Sequence, residues 1–171
     1  MKENTVALDR YSLQLLQELQ RDARKTVQQL SEAVGLSATP CWKRIKEMEE
    51  VGVIRGYTAI VDPASVGLNL AVVVEANLTQ HTESLVNRFE AAVAANPHIV
   101  RCVSTTGSSD YLLTVMVSDI KHYEQFLHDN IFKLPGVTRV RSSIVLKEVK
   151  KDIGLPIISA LADVPVGRRV R

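Results

Sequence analysis

The sequence predicts an α+β protein of two unlike parts: an N-terminal winged helix-turn-helix, then a ferredoxin-like βαββαβ unit. Three observations carry this. Up to Val51 apolar residues recur at helical spacing, with stops at Gly35 and Gly52. From Gly67 onward short apolar runs alternate with helical patterns, broken at Asn96-Pro97, Gly107-Ser108-Ser109 and Pro135-Gly136. Asp62-Pro63 stands between the two regimes as a turn. The expected domains are therefore 1–62 and 63–156, with a tail at 157–171.

In the first part, Asp9 is a good N-cap for a helix from about Asp9 to Asp22, and Leu8 can staple onto Leu13. Leu15, Leu16 and Leu19 form its inward stripe. Thr26-x-x-Gln29 is a capping-box pattern for a second helix through Val34, with Val27, Leu30, Ala33 and Val34 buried. Gly35 suits a left-handed C-cap. Ser37 caps a third helix that tolerates Pro40 in its first turn and runs to about Val51, where Gly52 stops it. Val53, Ile54, Tyr57, Ile60 and Val61 read as a strand.

In the second part, Leu68–Leu78, Ile99–Thr105, Tyr111–Val117 and Val137–Val149 read as strands. Glu83–Ala95 is a helix with Leu85, Val86, Phe89 and Val93 inward. Ile120–Leu134 is another, with Tyr123, Phe126, Leu127 and Ile131 inward. Val72-Val73-Val74 and Leu112-Leu113 are apolar on both strand faces. Helices cover only one face of such a sheet, so a second copy is expected on the other.

Composition narrows the function. The chain has 171 residues, 46 % of them hydrophobic and 5 % aromatic, enough for an aliphatic core. A net charge of +2 is too small for a nonspecific nucleic-acid coat. Cys41 and Cys102 lack metal-ligand spacing and read as reduced thiols of a cytoplasmic protein. MKENTVALDR lacks a signal-peptide apolar run, and no stretch approaches the ~18 apolar residues of a membrane span. No phosphate-binding loop, nucleophile elbow or metal-spaced histidine set occurs, which argues against an enzyme.

The third helix carries the strongest functional pattern. At about 100° per residue, Cys41, Ile45 and Met48 share one face, and Thr39, Lys43 and Lys46 the opposite one, flanked by Trp42 and Arg44. Thr39 can reach a base edge or a thymine methyl, and lysine can reach guanine acceptors or phosphate. Ser37 and the helix N-terminus suit a backbone phosphate. Arg44 suits a phosphate or a carboxylate such as Glu47 or Glu49. Trp42 fits either sugar–phosphate packing or burial against the second helix. Two helices, a Gly turn and a capped third helix with a polar, cationic outer face are laid out to enter a DNA major groove.

Four segments, LDRYSLQLLQELQRDAR, LSEAVGLSATPCWKRIKEMEEVGVIRGYTAIVDP, TGSSDYLLTV and KLPGVTRVRSS, resemble the Lrp/AsnC family of feast/famine transcription regulators. The resemblance spans about Leu8 to Pro156. It implies a DNA-binding regulator of amino-acid metabolism with sheet-to-sheet dimers that join as tetramers or octamers. It implies no cofactor, and a small amino-acid effector held between dimers at the Gly107–Asp110 loop. Carried onto this chain, Thr106, Gly107, Ser108, Ser109 and Asp110 would line the polar end. Ser104 and Tyr111 are adjacent, and Ile120, Ile144 and Val145 would be apolar walls.

The loop's chemistry fits: Gly107 permits close approach, serine hydroxyls and free N–H groups bind a carboxylate, and Asp110 can hold an ammonium. The same residues also fit a plain hairpin turn whose Asp110 caps backbone. Ser12 departs from an acid in many relatives. Ser109 replaces a bulky residue in many of them, which would enlarge or re-polarise the pocket. Arg168, Arg169 and Arg171 make a small basic tail, disordered or contacting phosphate. An effector-insensitive, DNA-wrapping architectural protein is the alternative function.

Overall fold

The structure, a computed structural model, describes residues 8–150 and 154–157. The chain divides into two compact units, one reaching to Ala59 and the other spanning Ile60–Lys150. The basic C-terminal tail lies outside the described residues.

The first unit holds α1 (Arg10–Arg21), α2 (Val27–Val34) and α3 (Ala38–Glu50). Asp9 caps α1 by accepting the Ser12 N–H at 2.8 Å. At α2 the Thr26/Gln29 box is complete, each side chain accepting the other residue's backbone N–H. Gly35 ends α2 in the left-handed region at φ +72°. Leu15, Leu30, Val34, Cys41, Ile45 and Met48 form the core, with Leu8, Leu16, Leu19 and Val27 packed on it.

Three expectations for this unit need correction. Ala33 is exposed, whereas Ser31 is buried and donates its hydroxyl to the Gln28 carbonyl, a local bond that lets a polar side chain sit inside. Ser37 occupies the N-cap position without a side-chain cap bond. Residues 53–61 form no strand. Ile54 folds back, its N–H donating to the Met48 carbonyl and its side chain packing on the core. Beyond it Tyr57, Ile60 and Val61 are exposed and have no ladder partner in the described sheet, and strands need one.

The second unit is β1 (Leu70–Leu78), α4 (Glu83–Ala94), β2 (Ile99–Ser104), β3 (Tyr111–Val117), α5 (Ile120–Asp129) and β4 (Val137–Ile144). All pairings are antiparallel, in the order β2-β3-β1-β4 of a ferredoxin-like sheet. Strict alternation along β1 and β3 sends Val72, Val74, Ala76, Leu78, Tyr111, Leu113, Val115 and Val117 to one face, under Phe89, Val93, Tyr123 and Phe126. The opposite face is half-exposed and mixed. Val73, Leu112 and Met116 occupy its middle, while Glu75, Asn77, Arg139 and Arg141 give it charge and polarity.

Two elements are shorter than expected. α5 stops at Asp129 because Asn130 leaves helical geometry and accepts from the Asn96 amide; a 3-10 turn at Ile131–Lys133 then drops Ile131 into the core. β4 stops at Ile144 because β1 runs out of partners: the Val145 N–H reaches Ala71, and Leu146 is 95 % exposed.

Candidate DNA-reading helix and effector loop

On α3, Cys41, Ile45 and Met48 point into the core of their unit. Burial pushes the Cys41 thiol up, so it stays a neutral packing group. Ser37, Thr39, Trp42, Lys43 and Lys46 are exposed. Trp42, 53 % exposed, is therefore available to a ligand rather than buried against α2.

Arg44 differs from its neighbours. Its partner is neither Glu47 nor Glu49 but the α1 cap, with Nη2 2.7 Å from Asp9 Oδ2, and its guanidinium lies 5.9 Å from the Tyr11 ring centroid. Partial burial alone would raise the Asp9 carboxyl, but hydrogen bonds from Arg44 and Ser12 outweigh it and hold the carboxyl below its ordinary value. Arg44 is thus committed to joining α1 to α3. Sequence pattern missed this because the partners stand 35 residues apart. The available signal was that a capping carboxylate has a second oxygen.

The loop between β2 and β3 is held by hydrogen bonds within it and to β1. The Thr105 N–H donates to the Asp110 carbonyl at 2.9 Å, and the Asn77 amide donates to the Ser108 carbonyl at 3.0 Å. Buried Ser109 donates to Glu75 Oε2 at 2.9 Å. Asp110 is engaged at both oxygens: Oδ2 accepts the Leu78 N–H at 2.8 Å, and Oδ1 lies 3.0 Å from His81 Nε2. The Leu78 bond, then His81, hold its carboxyl below the ordinary range. Asp110 therefore anchors the loop to the end of β1, 32 residues away in sequence. Thr106, Gly107 and Ser108 remain exposed.

Two concavities flank the loop. One of about 340 Å³ is lined by Glu90, Val93, Ile99, Cys102, Ser104 and Tyr111, whose hydroxyl donates to Glu90 at 2.9 Å. The other, about 60 Å³ and polar, is lined by Glu75, Asn77, Ser108, Ser109, Arg139 and Arg141. The expected apolar walls do not meet the loop within one chain. Ile120 follows the far end of β3, and Ile144 pairs with Val72, whereas Tyr111 pairs with Ala76. Six residue steps of β3 separate the two ends, about 20 Å at strand rise. Among the described residues no cluster is arranged to hold a metal, and no helix is long and apolar enough to cross a membrane.

A helical unit presenting a polar, cationic helix, joined to a ferredoxin-like unit with cavities beside a polar loop, defines a class: DNA-binding regulators with a small-molecule-binding domain. Known proteins agree. Residues 8–55 match the family described as winged helix-turn-helix DNA-binding, and residues 71–155 match the Lrp/AsnC ligand binding domain. The leucine-responsive regulatory protein of Haemophilus influenzae is 38 % identical over 150 residues, covering 88 % of this chain and 90 % of that one. The Escherichia coli DNA-binding transcriptional activator DecR is 36 % identical over 88 % of this chain and 99 % of its own. A transcriptional regulator from Neisseria meningitidis, solved as an L-Met complex, superposes with a TM-score of 0.85 at 34 % identity, covering 90 % of this chain and 99 % of that one. The chain belongs to the Lrp/AsnC family. It is accordingly a DNA-binding transcription regulator and not an enzyme.

Proposed function

We propose that residues 1–62 read a specific operator and residues 63–156 sense a small amino-acid-like effector that controls this reading, in a protein governing amino-acid metabolism. The observation that carries the DNA half is α3: Cys41, Ile45 and Met48 anchor it while Thr39, Trp42, Lys43 and Lys46 face outward. Thr39, Lys43 and Lys46 contact base edges or phosphate, Trp42 packs on sugar–phosphate, and Ser37 with the helix N-terminus holds a phosphate. Arg44 positions the helix. Because the target is DNA, we place the protein in the cytoplasm.

The effector's polar end is assigned to Thr106, Gly107, Ser108 and the Ser109 backbone, with Ser104 and Tyr111 flanking the cavity that offers room for a side chain. Asp110 shapes this loop. Ile120, Ile144 and Val145 join the site only from another copy, which fits dimers that assemble further to tetramers or octamers. The half-exposed sheet face with Val73, Leu112 and Met116 supports the dimer. The L-Met complex of the Neisseria relative supports an amino acid. A thermal-shift screen of all amino acids tests this, since ligands stabilise by mass action. At least one raises the melting temperature of the wild type and has a reduced effect on Ser108→Ala. No shift from any amino acid favours the architectural, effector-insensitive reading.

A further inference from the structure

Every cation of α3 has an acidic neighbour within its own unit. Lys43 Nζ is 4.0 Å from Glu47 Oε1, Arg44 is bound by Asp9, and Lys46 Nζ is 2.8 Å from Glu49 Oε2. Glu49 also reaches the chain that follows the helix. Its second oxygen, Oε1, accepts the Tyr57 hydroxyl at 2.9 Å, and its side chain is only 28 % exposed. Tyr57 comes from the irregular segment that follows α3, a segment with no ladder of its own. One carboxylate thus holds a cation on the outward side of the helix and the chain that follows it.

The charges set up a competition. A phosphate must draw Lys46 away from Glu49, and Glu49 left unneutralised beside DNA repels it. Exposed ion pairs are individually weak, so this contest is close and small changes tip it. A phenol donor on Oε1 takes up part of the carboxylate's charge and loosens its hold on Lys46. We propose that Glu49 tunes DNA affinity by competing with phosphate for Lys46, and that Tyr57 sets the strength of the competition through Glu49's other oxygen.

The titration behaviour agrees with this geometry. Lys46, then Tyr57, hold the Glu49 carboxyl below its ordinary value, so it is charged wherever the protein works. Partial burial, then Glu49, push Tyr57 up to about 12, so it remains a donor. Tyr57 lies two residues before the end of its unit at Ala59. Displacement of that segment would therefore reach Lys46 through Glu49. Glu49 and Tyr57 are positioning residues, acting on DNA through Lys46. The inference rests on the reading that α3 faces DNA.

The test uses the full chain in anisotropy titrations on its own promoter fragment and on a random duplex of equal length, from about 50 to 200 mM salt. Glu49→Gln is expected to tighten random-DNA binding by about three- to tenfold at the low-salt end and to steepen the log–log salt slope by about 0.9 per engaged helix. A phosphate contact carries no sequence information, so the promoter gains by about the same factor and the specificity ratio holds. Tyr57→Phe moves affinity and slope the opposite way, and the double variant behaves like Glu49→Gln alone. In a Lys46→Met background Glu49→Gln has no effect on the slope, which separates charge competition from a folding defect. The proposal is overturned if Glu49→Gln and Tyr57→Phe shift the slope in the same direction. It is overturned equally if Glu49→Gln changes nothing while Lys43→Ala weakens binding. If Lys43→Ala also leaves binding intact, the reading of α3 itself is what fails.

Discussion

Replacing Asp9 separates two contributions that one carboxylate makes to the helical unit. Oδ1 caps α1 through the Ser12 N–H, and Oδ2 takes the Arg44 guanidinium from α3. Asparagine caps helices about as well as aspartate but carries no charge, so Asp9→Asn removes mainly the ion pair. The side chains of Arg44 and Asp9 are 29 % and 44 % exposed, so solvent screens the pair and its loss costs about 0.5–1 kcal/mol. Asp9→Ala also loses the cap, a further cost of about 1 kcal/mol. With a urea m-value of about 1 kcal/mol/M for so small a unit, midpoints fall by roughly 0.5–1 M and 1.5–2 M respectively. Trp42 is the only tryptophan and lies on α3, so its fluorescence reports this unit selectively. Because the folded carboxyl titrates below its ordinary value, its stabilisation is complete above the unfolded pKa of about 3.9 and is lost as pH falls through the folded value. The gap between wild type and Asp9→Asn should therefore hold at neutral pH and close as pH falls below about 3.9 and through the lower folded value. Equal damage from Asn and Ala, or a gap that persists at low pH, would refute the two-oxygen account.

Gly136→Ala should destabilise the second unit by about 1–3 kcal/mol in thermal melts, since a Cβ there meets Leu85 Cδ2 at 2.5 Å with φ at +74°. Gly107→Ala, with nothing within 4 Å, should stay within about 0.5 kcal/mol. Thr26→Ala breaks the capping box and should cost about 1 kcal/mol by the same Trp42 urea assay. Asp110→Ala strands the Leu78 N–H and should cost about 1–2 kcal/mol by calorimetry. Its carboxyl is lowered in the folded state, so this contribution is full above about pH 3.9 and is lost as pH falls through the lower folded value.

What the sequence made legible was local. The Thr26/Gln29 box, the left-handed Gly35 and the Cys41/Ile45/Met48 spacing each depend on residues within one or two turns. Tyr111–Val117 was readable because apolar residues bounded by turn signals mark a buried strand. What it hid was set by partners distant in the chain. Residues 53–61 have strand-like side chains, yet a strand exists only where another backbone meets it. Arg44 suits either a phosphate or a carboxylate by type, and its actual carboxylate is the distant Asp9; Asp110 suits either an ammonium or a local backbone cap, and the backbone it holds is that of Leu78, 32 residues away. Ile120, Ile144 and Val145 fit as walls by type, but the pairing of β4 with β1 carries Ile144 and Val145 away from the loop, and Ile120 follows the far end of β3.

The most direct test is the affinity of the full chain for its own promoter fragment, at fixed salt, with and without each amino acid that stabilises it thermally. The expected result is a change of about 5–150-fold with at least one amino acid, a coupling of ~1–3 kcal/mol, that Ser108→Ala reduces while leaving unliganded DNA binding intact. An affinity unmoved by every amino acid would contradict ligand control of the helix that carries Thr39, Lys43 and Lys46.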